Sequence, residues 1–167
     1  HRTSRRQRQM CIRDRHSKEE LEKNPDLRFK DYNNTIASCK RFSRQPTTIF
    51  SFAEGTRNTK KKHELQDSPY RNLLKPKIGG IATALCAFPE IEYLIDYTLK
   101  YKSHKRSFWD FLMGDLSDAK VSVKKYKIPP KLKNKNYIHD ENYRKDFRKW
   151  MDEIWIIKDK TIDDLKF

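Results

Sequence analysis

The residues of this chain best suited to chemistry are four in succession, Glu54, Gly55, Thr56 and Arg57. Arg57 carries a planar guanidinium whose donors match two oxygens of one phosphate. Thr56 adds a hydroxyl, and Gly55 permits backbone angles that a side chain forbids. Glu54 can orient the guanidinium or accept a hydrogen bond from a substrate hydroxyl. These residue types predict a phosphate-binding turn, and the alternative is a surface turn held by a Glu54–Arg57 ion pair.

Further cations follow this block. Lys77 precedes Gly79-Gly80, where it could meet a phosphate at the start of a helix, although a solvated lysine is the alternative. The run from Lys60 to Lys62 could contact anionic lipid headgroups, and a solvated loop is the alternative there. We interpret His63 as a surface or loop-packing residue.

The helices and strands that must position these residues are predicted to form an α/β fold. The spacing of apolar residues indicates a helix from Pro25 to Arg44. The uncharged, β-branched and aromatic run from Thr47 to Ala53 predicts a buried strand that delivers Glu54 at its end. In α/β sheets, functional groups gather where strands end. A long polar loop is expected from Asn58 to Lys77.

The second half of the chain predicts a helix, two strands and a closing helix. We expect a helix from Ile78 to Phe88 and strands from Ile91 to Tyr101 and from Ala119 to Ile128. A brief helix or turn from Ser107 to Met113 lies between these strands. An amphipathic helix from Asp140 to about Leu165 closes the chain, with apolar residues at helical spacing: Tyr143, Phe147, Trp150, Met151, Ile154 and Trp155. Helices are thus expected to pack on an α/β sheet.

Several residues are better explained by structure than by function. Trp150 and Trp155 share a face with other apolar residues of the closing helix, so we expect them in the core. Asp96 interrupts an apolar strand, which indicates a paired structural carboxylate. The three cysteines lack a close pair, so neither a disulfide framework nor a zinc site is indicated, and Cys86 reads as a buried small hydrophobe.

Length and charge limit the class of protein. The 167 residues suit one domain or a piece of one, and 12% aromatic residues argue against disorder. A net charge of +15 should attract a polyanion, either nucleic acid or an anionic lipid surface. No apolar stretch approaches the roughly 20 residues of a transmembrane helix. Any membrane contact is therefore expected to be peripheral.

The first fifteen residues, HRTSRRQRQMCIRDR, differ from the rest in being rich in arginine and almost without apolar residues. We interpret residues 1–15 as an adapter-derived, non-native segment, with a native basic arm as the alternative. Residues 16–167 are then part of one domain.

Several blocks of the chain resemble the glycerolipid acyltransferase family, which includes the lysophosphatidic acid acyltransferases. The Phe52–Arg57 block, FAEGTR, is similar to the third signature block of that family, Phe-x-Glu-Gly-Thr-Arg. Four further blocks resemble, in order, its lysocardiolipin-acyltransferase-like branch and uncharacterised bacterial relatives: LLKPKIGGIATAL, YLIDYTLKY, VSVKKYKIP and FRKWMDEIWIIKDK. The resemblance covers roughly residues 18–160 and implies the C-terminal part of an acyltransferase α/β sheet with flanking helices.

The resemblance implies a reaction in which acyl-CoA or acyl carrier protein donates a fatty acyl group to a lysophospholipid hydroxyl. No other cofactor is implied. Glu54, Gly55, Thr56 and Arg57 would bind the glycerol-phosphate of the acceptor, and Lys77 matches a basic position often present in the family. The protein would be membrane-associated on a cytoplasmic face, such as that of the bacterial inner membrane, and no nucleic-acid partner is expected.

The chain departs from the family in its catalytic base. The family uses a His-x-x-x-x-Asp pair, in which the imidazole deprotonates the acceptor hydroxyl and the aspartate orients the ring. None of the five histidines has an aspartate five residues on, and His63 with Asp67 has the wrong spacing. We therefore interpret residues 16–167 as the C-terminal part of one acyltransferase domain, with no catalytic residue of its own.

Two other classes of function remain open at this point. The charge alone would permit a basic nucleic-acid-binding domain, although the aromatic residues fall on core faces and not on a stacking platform. A non-catalytic domain that docks on anionic membranes is the other possibility. Salt-sensitive binding to anionic vesicles, without preference for DNA, would separate the membrane classes from the nucleic-acid class.

We expect the purified chain to be inactive in acyl transfer, because a positioned general base contributes roughly 100- to 10,000-fold. Incubation with acyl-CoA and lysophosphatidic acid should give product no faster than the uncatalysed background. Turnover above that background would show that a base is present after all.

Overall fold

The computed structural model describes residues 33–34, 36–37, 39, 48–103, 108–114, 118–133, 135, 137 and 139–167. It is a mixed α/β structure with a two-stranded antiparallel sheet and a long C-terminal helix. The elements in order are α1 (Lys60–Leu65), α2 (Gly79–Ala87), β1 (Tyr93–Tyr101), α3 (Phe108–Leu112), β2 (Ala119–Lys127), a 3-10 helix (Pro130–Leu132) and α4 (Glu141–Asp164).

The elements of the second half of the chain, α2, β1, α3, β2 and α4, match the sequence predictions within two residues at each end. Of the helix predicted from Pro25 to Arg44, the five described positions between 33 and 39 are helical. The rest of that helix, and the whole of residues 1–15, lie outside the described residues.

Helix α4 organises the hydrophobic core. Its first turn is capped by Asp140, whose carboxylate accepts from the Tyr143 amide at 2.8 Å. Buried side chains then recur every three or four residues along one face: Tyr143, Phe147, Met151, Ile154 and Trp155. They pack with buried residues of α2 and of the segments that flank the sheet: Tyr70, Leu73, Ile78, Ala82, Leu85, Ile128 and Leu132.

The expected core role of both tryptophans is confirmed. Trp155 is buried and its indole Nε1 donates to the Leu74 carbonyl oxygen at 3.0 Å. Trp150 is half-buried and packs edge-to-face on Phe147, with 5.7 Å between ring centroids. Cys86 is half-buried, so its expected full burial is wrong, because the last turn of α2 lies partly at the surface.

The sheet is joined to α4 by polar contacts. Asp96, on the face of β1 that meets α4, pairs with Lys158, with 2.5 Å between Oδ1 and Nζ. The same ammonium donates to the Tyr97 carbonyl oxygen at 2.9 Å and to Thr98 Oγ1 at 3.3 Å. The side chains of Asp96 and Lys158 are only 10% and 12% exposed. Asp96 is therefore a paired structural carboxylate, as the sequence predicted.

The connection from α1 to α2 is held on α4 by carboxylates. The backbone amides of Arg71 and Asn72 each donate to Asp159 at 2.8 Å. The Tyr70 hydroxyl donates to Asp152 at 3.0 Å. The polar loop predicted from residue 58 to residue 77 is thus wrong in part, because it contains α1 and is fixed along its second half.

The buried strand predicted from Thr47 to Ala53 is wrong. Positions 48–52 have no regular secondary structure, and Phe50 and Phe52 are 82% and 92% exposed. A strand requires a partner for its backbone, and among the described residues the two strands of the sheet, β1 and β2, pair with each other. High β-propensity at Ile49 and Phe50 is not sufficient without that partner.

The buried ion pair should dominate the attachment of the sheet. Lys158→Met leaves Asp96 buried without its cation, so we expect the free energy of unfolding to fall by about 3–5 kcal/mol in urea titrations. The matched control is Lys145→Met, which removes an exposed ion pair to Glu141 in the same helix and should cost about 0.5 kcal/mol or less. Equal losses in the two variants would contradict the central role of the Asp96–Lys158 pair.

Candidate functional site

A tight turn presents the predicted phosphate-binding block. The Gly55 amide closes this turn by donating to the Phe52 carbonyl oxygen at 2.8 Å. Gly55 has a φ of +66°, in the left-handed region that residues with a Cβ rarely adopt. The chain thus reverses direction where the sequence placed the end of a strand, and Gly55 is the residue that makes this possible.

The structure brings Lys77 to the same turn, although it is distant in sequence. The Lys77 amide donates to the Ala53 carbonyl oxygen at 2.6 Å. A Cβ built on Gly55 would lie 2.9 Å from Lys77 Cδ and 3.2 Å from its Nζ, so the lysine side chain crosses directly over the glycine. The absent side chain of Gly55 therefore serves two purposes, the backbone angle and the close approach of a cation.

Helix α1 adds a second lysine. Thr59 caps this helix, with its Oγ1 accepting from the Lys62 amide at 3.3 Å. The Lys62 ammonium then reaches back to donate to Thr56 Oγ1 at 2.5 Å. Lys60 and Lys61, in contrast, are exposed. Of the three consecutive lysines, Lys62 is the one that joins the site.

Arg57 is exposed at the edge of this turn. Within the described part of the chain, no ion pair joins its guanidinium to the Glu54 carboxylate. A surface turn held by a Glu54–Arg57 pair is therefore not what the structure contains. The Lys62 and Lys77 ammonium groups lie beside the glycine turn, and the exposed Arg57 follows two residues after Gly55, which is an arrangement that can bind a phosphate.

Glu54 is half-buried, and its carboxyl lies near the Leu74 backbone and within the electrostatic reach of Lys158 on α4. Burial raises the pKa of the Glu54 carboxyl, while a hydrogen bond from the Leu74 backbone and the positive charges of Lys158 and His63 oppose this rise. The hydrogen bond from the Leu74 backbone ties the Glu54 side chain, and with it the turn, to the body of the protein.

His63 packs in the loop, as the sequence predicted. Its Nε2 lies 2.6 Å from the Tyr70 carbonyl oxygen, and the ring is half-buried. A backbone carbonyl oxygen cannot donate, so this ring nitrogen carries the proton. Nε2 therefore holds the ring against the loop backbone.

Sequence reasoning missed Lys158 as a neighbour of the site. Its charge acts on Glu54 while its ammonium pairs with Asp96. A signal was present, because Lys158 lies three residues after the buried Trp155 and so falls near the apolar face of α4. A lysine next to the apolar face of an amphipathic helix requires an anionic partner. Asp96, the carboxylate that interrupts an apolar strand, was the candidate for that partner in the sequence.

Comparisons of the chain with protein-family models, with curated proteins and with solved structures give no match. The glycerolipid acyltransferase resemblance therefore rests on the sequence blocks quoted above.

The raised pKa of Glu54 predicts a measurable pH dependence. A carboxyl whose folded pKa lies above its ordinary value of 4.5 contributes stability that is complete below that pH and is lost as the pH rises through the folded pKa. Glu54→Gln cannot ionise, so its melting temperature relative to the unmodified chain should rise from acid to neutral pH. Glu64→Gln, which removes an exposed carboxylate of α1, is the control. Parallel melting profiles for Glu54→Gln and the unmodified chain would contradict the assignment.

Proposed function

We propose that this chain carries the acceptor-binding part of a glycerolipid acyltransferase, which transfers a fatty acyl group from acyl-CoA or acyl carrier protein to a lysophospholipid hydroxyl. The observation that carries the proposal is the passage of the Lys77 side chain over Gly55. Two segments that resemble separate blocks of the acyltransferase family thereby form one cationic turn. The resemblance supplies the reaction, and the geometry supports the phosphate-binding step.

The acceptor phosphate would sit on the exposed side of the turn. The Arg57 guanidinium offers two parallel N–H donors to two phosphate oxygens, which lysine cannot reproduce. The Lys77 ammonium, beside Gly55, adds a point charge. The Lys62 ammonium donates to Thr56 Oγ1 at 2.5 Å. Both groups therefore lie at the same place on the turn, where each can also bind an oxygen of the phosphate. On the protein side of the turn, the Glu54 carboxyl is hydrogen-bonded to the Leu74 backbone.

In the proposed reaction, the acceptor hydroxyl oxygen attacks the thioester carbonyl carbon. A new ester bond forms, the carbon–sulfur bond breaks, and the thiol leaves with a proton. The base that takes the hydroxyl proton is the His-x-x-x-x-Asp pair of the family, which residues 1–167 do not contain. The part played by this chain is therefore to hold the acceptor by its phosphate, so that the hydroxyl is presented at a fixed distance.

The proposed acceptor is a lipid, which places the protein on a membrane, and we propose the cytoplasmic face. No helix in the described part of the chain is long and apolar enough to cross a bilayer. The alternative is a basic non-catalytic domain for anionic membranes or nucleic acid. Phosphate is common to all these ligands, so the test must use the isolated headgroup.

Arg57 provides the test. We expect sn-glycerol 3-phosphate, titrated into the chain and followed by NMR, to shift the amide signals of the Gly55 turn, while glycerol does not. Arg57→Ala removes two charge-assisted hydrogen bonds and should weaken binding about tenfold or more. Arg57→Lys should recover only part of that loss.

Arg144→Ala is the matched control, since it removes the same exposed group about 21 Å along α4 from Lys158. If Arg57→Ala and Arg144→Ala weakened glycerol 3-phosphate binding equally, the binding would depend only on the net charge of the chain, and the proposal would be wrong. Tighter binding of a short DNA duplex, with no shift of the turn signals by glycerol 3-phosphate, would favour the nucleic-acid alternative.

A further inference from the structure

The hairpin of β1 and β2 exposes an apolar face. We call this the outer face, and its members are the alternate residues that point away from α4: Tyr93, Ile95, Tyr97, Leu99 and Tyr101 on β1, with Val121, Val123, Lys125 and Lys127 on β2. The register sets Tyr97 opposite Val123 and Leu99 opposite Val121, so the apolar side chains are contiguous across the strands. The outer face contains no carboxylate.

This arrangement inverts the usual pattern of an antiparallel sheet, in which the apolar face covers the core and the polar face meets water. Here the face on α4 carries Asp96, Thr98 and Lys100 beside Leu94 and Tyr126, while most of the aliphatic and aromatic residues lie on the outer face. Contiguous apolar surface of this kind is rare on soluble monomers and marks a binding surface.

Helix α3, which connects the two strands, extends the apolar surface. None of its residues is buried, and its large side chains are all more than half exposed: Phe108, Trp109, Phe111, Leu112 and, directly after it, Met113. Trp109 is 72% exposed. The two ends of the connection meet where the Lys102 amide donates to the Asp118 carbonyl oxygen at 3.0 Å. An aromatic helix is thus presented at the tip of an apolar hairpin.

The charges on this surface select the kind of partner. Lys125 and Lys127 are the ionised residues of the outer face, and Lys125 Nζ lies 3.6 Å from the centroid of the Tyr93 ring. Tyrosine and lysine both place an apolar body in hydrocarbon and a polar tip at the lipid headgroups. Exposed tryptophan is likewise enriched at that boundary. Two cations at the Tyr93 end of an apolar surface whose one carboxylate is Asp110 of α3, in a chain of net charge +15, complement an anionic bilayer.

The same charges disfavour the other occupants. A second copy seated face to face offers Lys125 and Lys127 no anion, because the outer face contains no carboxylate, and with parallel strands these lysines would repel one another. A nucleic acid would meet the cations, but its phosphates would leave Ile95, Leu99 and Val121 without apolar cover. An anionic bilayer satisfies both the lysines and the aliphatic residues.

We propose that the outer face and helix α3 together form the membrane-docking surface of this protein, resting at the headgroup boundary of an anionic bilayer with the α3 side chains inserted. The inference rests on the proposed function in one respect, that a lipid acceptor lies in the same bilayer. It assigns the docking to the hairpin, and not to the lysines of α1.

Vesicles of phosphatidylcholine with phosphatidylglycerol, and of phosphatidylcholine alone, test the proposal by flotation. The chain should bind the anionic vesicles more strongly, and added salt should weaken that binding. Trp109→Ser combined with Phe111→Ser should lower the partition coefficient about tenfold or more, because two inserted aromatic side chains are lost. Leu65→Ser combined with Ile156→Ser, two exposed apolar residues outside the surface, should leave it unchanged.

Trp109 also reports its own insertion. Brominated acyl chains in the anionic vesicles should quench tryptophan fluorescence, since Trp109 is exposed while Trp155 is buried and Trp150 is half-buried. Trp109→Phe keeps an apolar ring, so it should still bind these vesicles but lose most of the quenching. This variant changes an exposed residue conservatively and is expected to fold.

Three results would overturn the docking proposal. They are unaltered vesicle binding by the double serine variant, undiminished quenching in Trp109→Phe, and a dimer in solution that the double serine variant dissociates. Glycerol 3-phosphate binding, measured without lipid, keeps this test separate from that of the proposed function. The double serine variant should bind glycerol 3-phosphate as the unmodified chain does, so failure of docking and failure of the phosphate site are distinguishable.

Discussion

The ion pair between Lys158 and Asp96 determines how the two halves of this structure are joined. Taking both charges out of water is costly, and the 2.5 Å contact offsets this only because further partners satisfy the groups. Lys158 also donates to Tyr97 and Thr98, and Thr98 Oγ1 donates to the second carboxylate oxygen of Asp96 at 3.1 Å. These hydrogen bonds can form in one position of the hairpin on α4, because a shift of β1 by one residue would move Asp96 to the opposite face of the sheet.

That register has a consequence for the candidate site. Lys158 lies on α4 beside Trp155, whose indole holds the Leu74 carbonyl, and the Leu74 backbone in turn holds the Glu54 carboxylate. The turn at Gly55 is thus tied to the same stretch of α4 that binds the sheet. The hydrogen bond between Glu54 and the Leu74 backbone fixes this turn while Arg57 and Lys77 remain exposed.

The sequence predicted what depends on local periodicity and missed what depends on partners. Helix α4 and both strands follow from apolar spacing, and Asp96 was correctly predicted to be paired. The strand at Thr47–Ala53 failed because a strand exists only with a neighbour, which periodicity does not report. Gly55 and Lys77 were both predicted site residues, but their approach is a tertiary contact, marked by the hydrogen bond from the Lys77 amide to the Ala53 carbonyl oxygen, and no spacing rule contains that information.

The polar contacts of the hairpin with α4 and the apolar character of its outer face have the same cause. Alternate residues of β1 must point in opposite directions, so placing Asp96, Thr98 and Lys100 against the helix necessarily sends Ile95, Tyr97 and Leu99 outward. In water this arrangement is unfavourable twice, through the buried charges and through the exposed apolar side chains. At a bilayer surface the second cost becomes a gain, because the outward residues leave water. The inverted hairpin is therefore best explained if the outer face does not remain in contact with water when the protein functions.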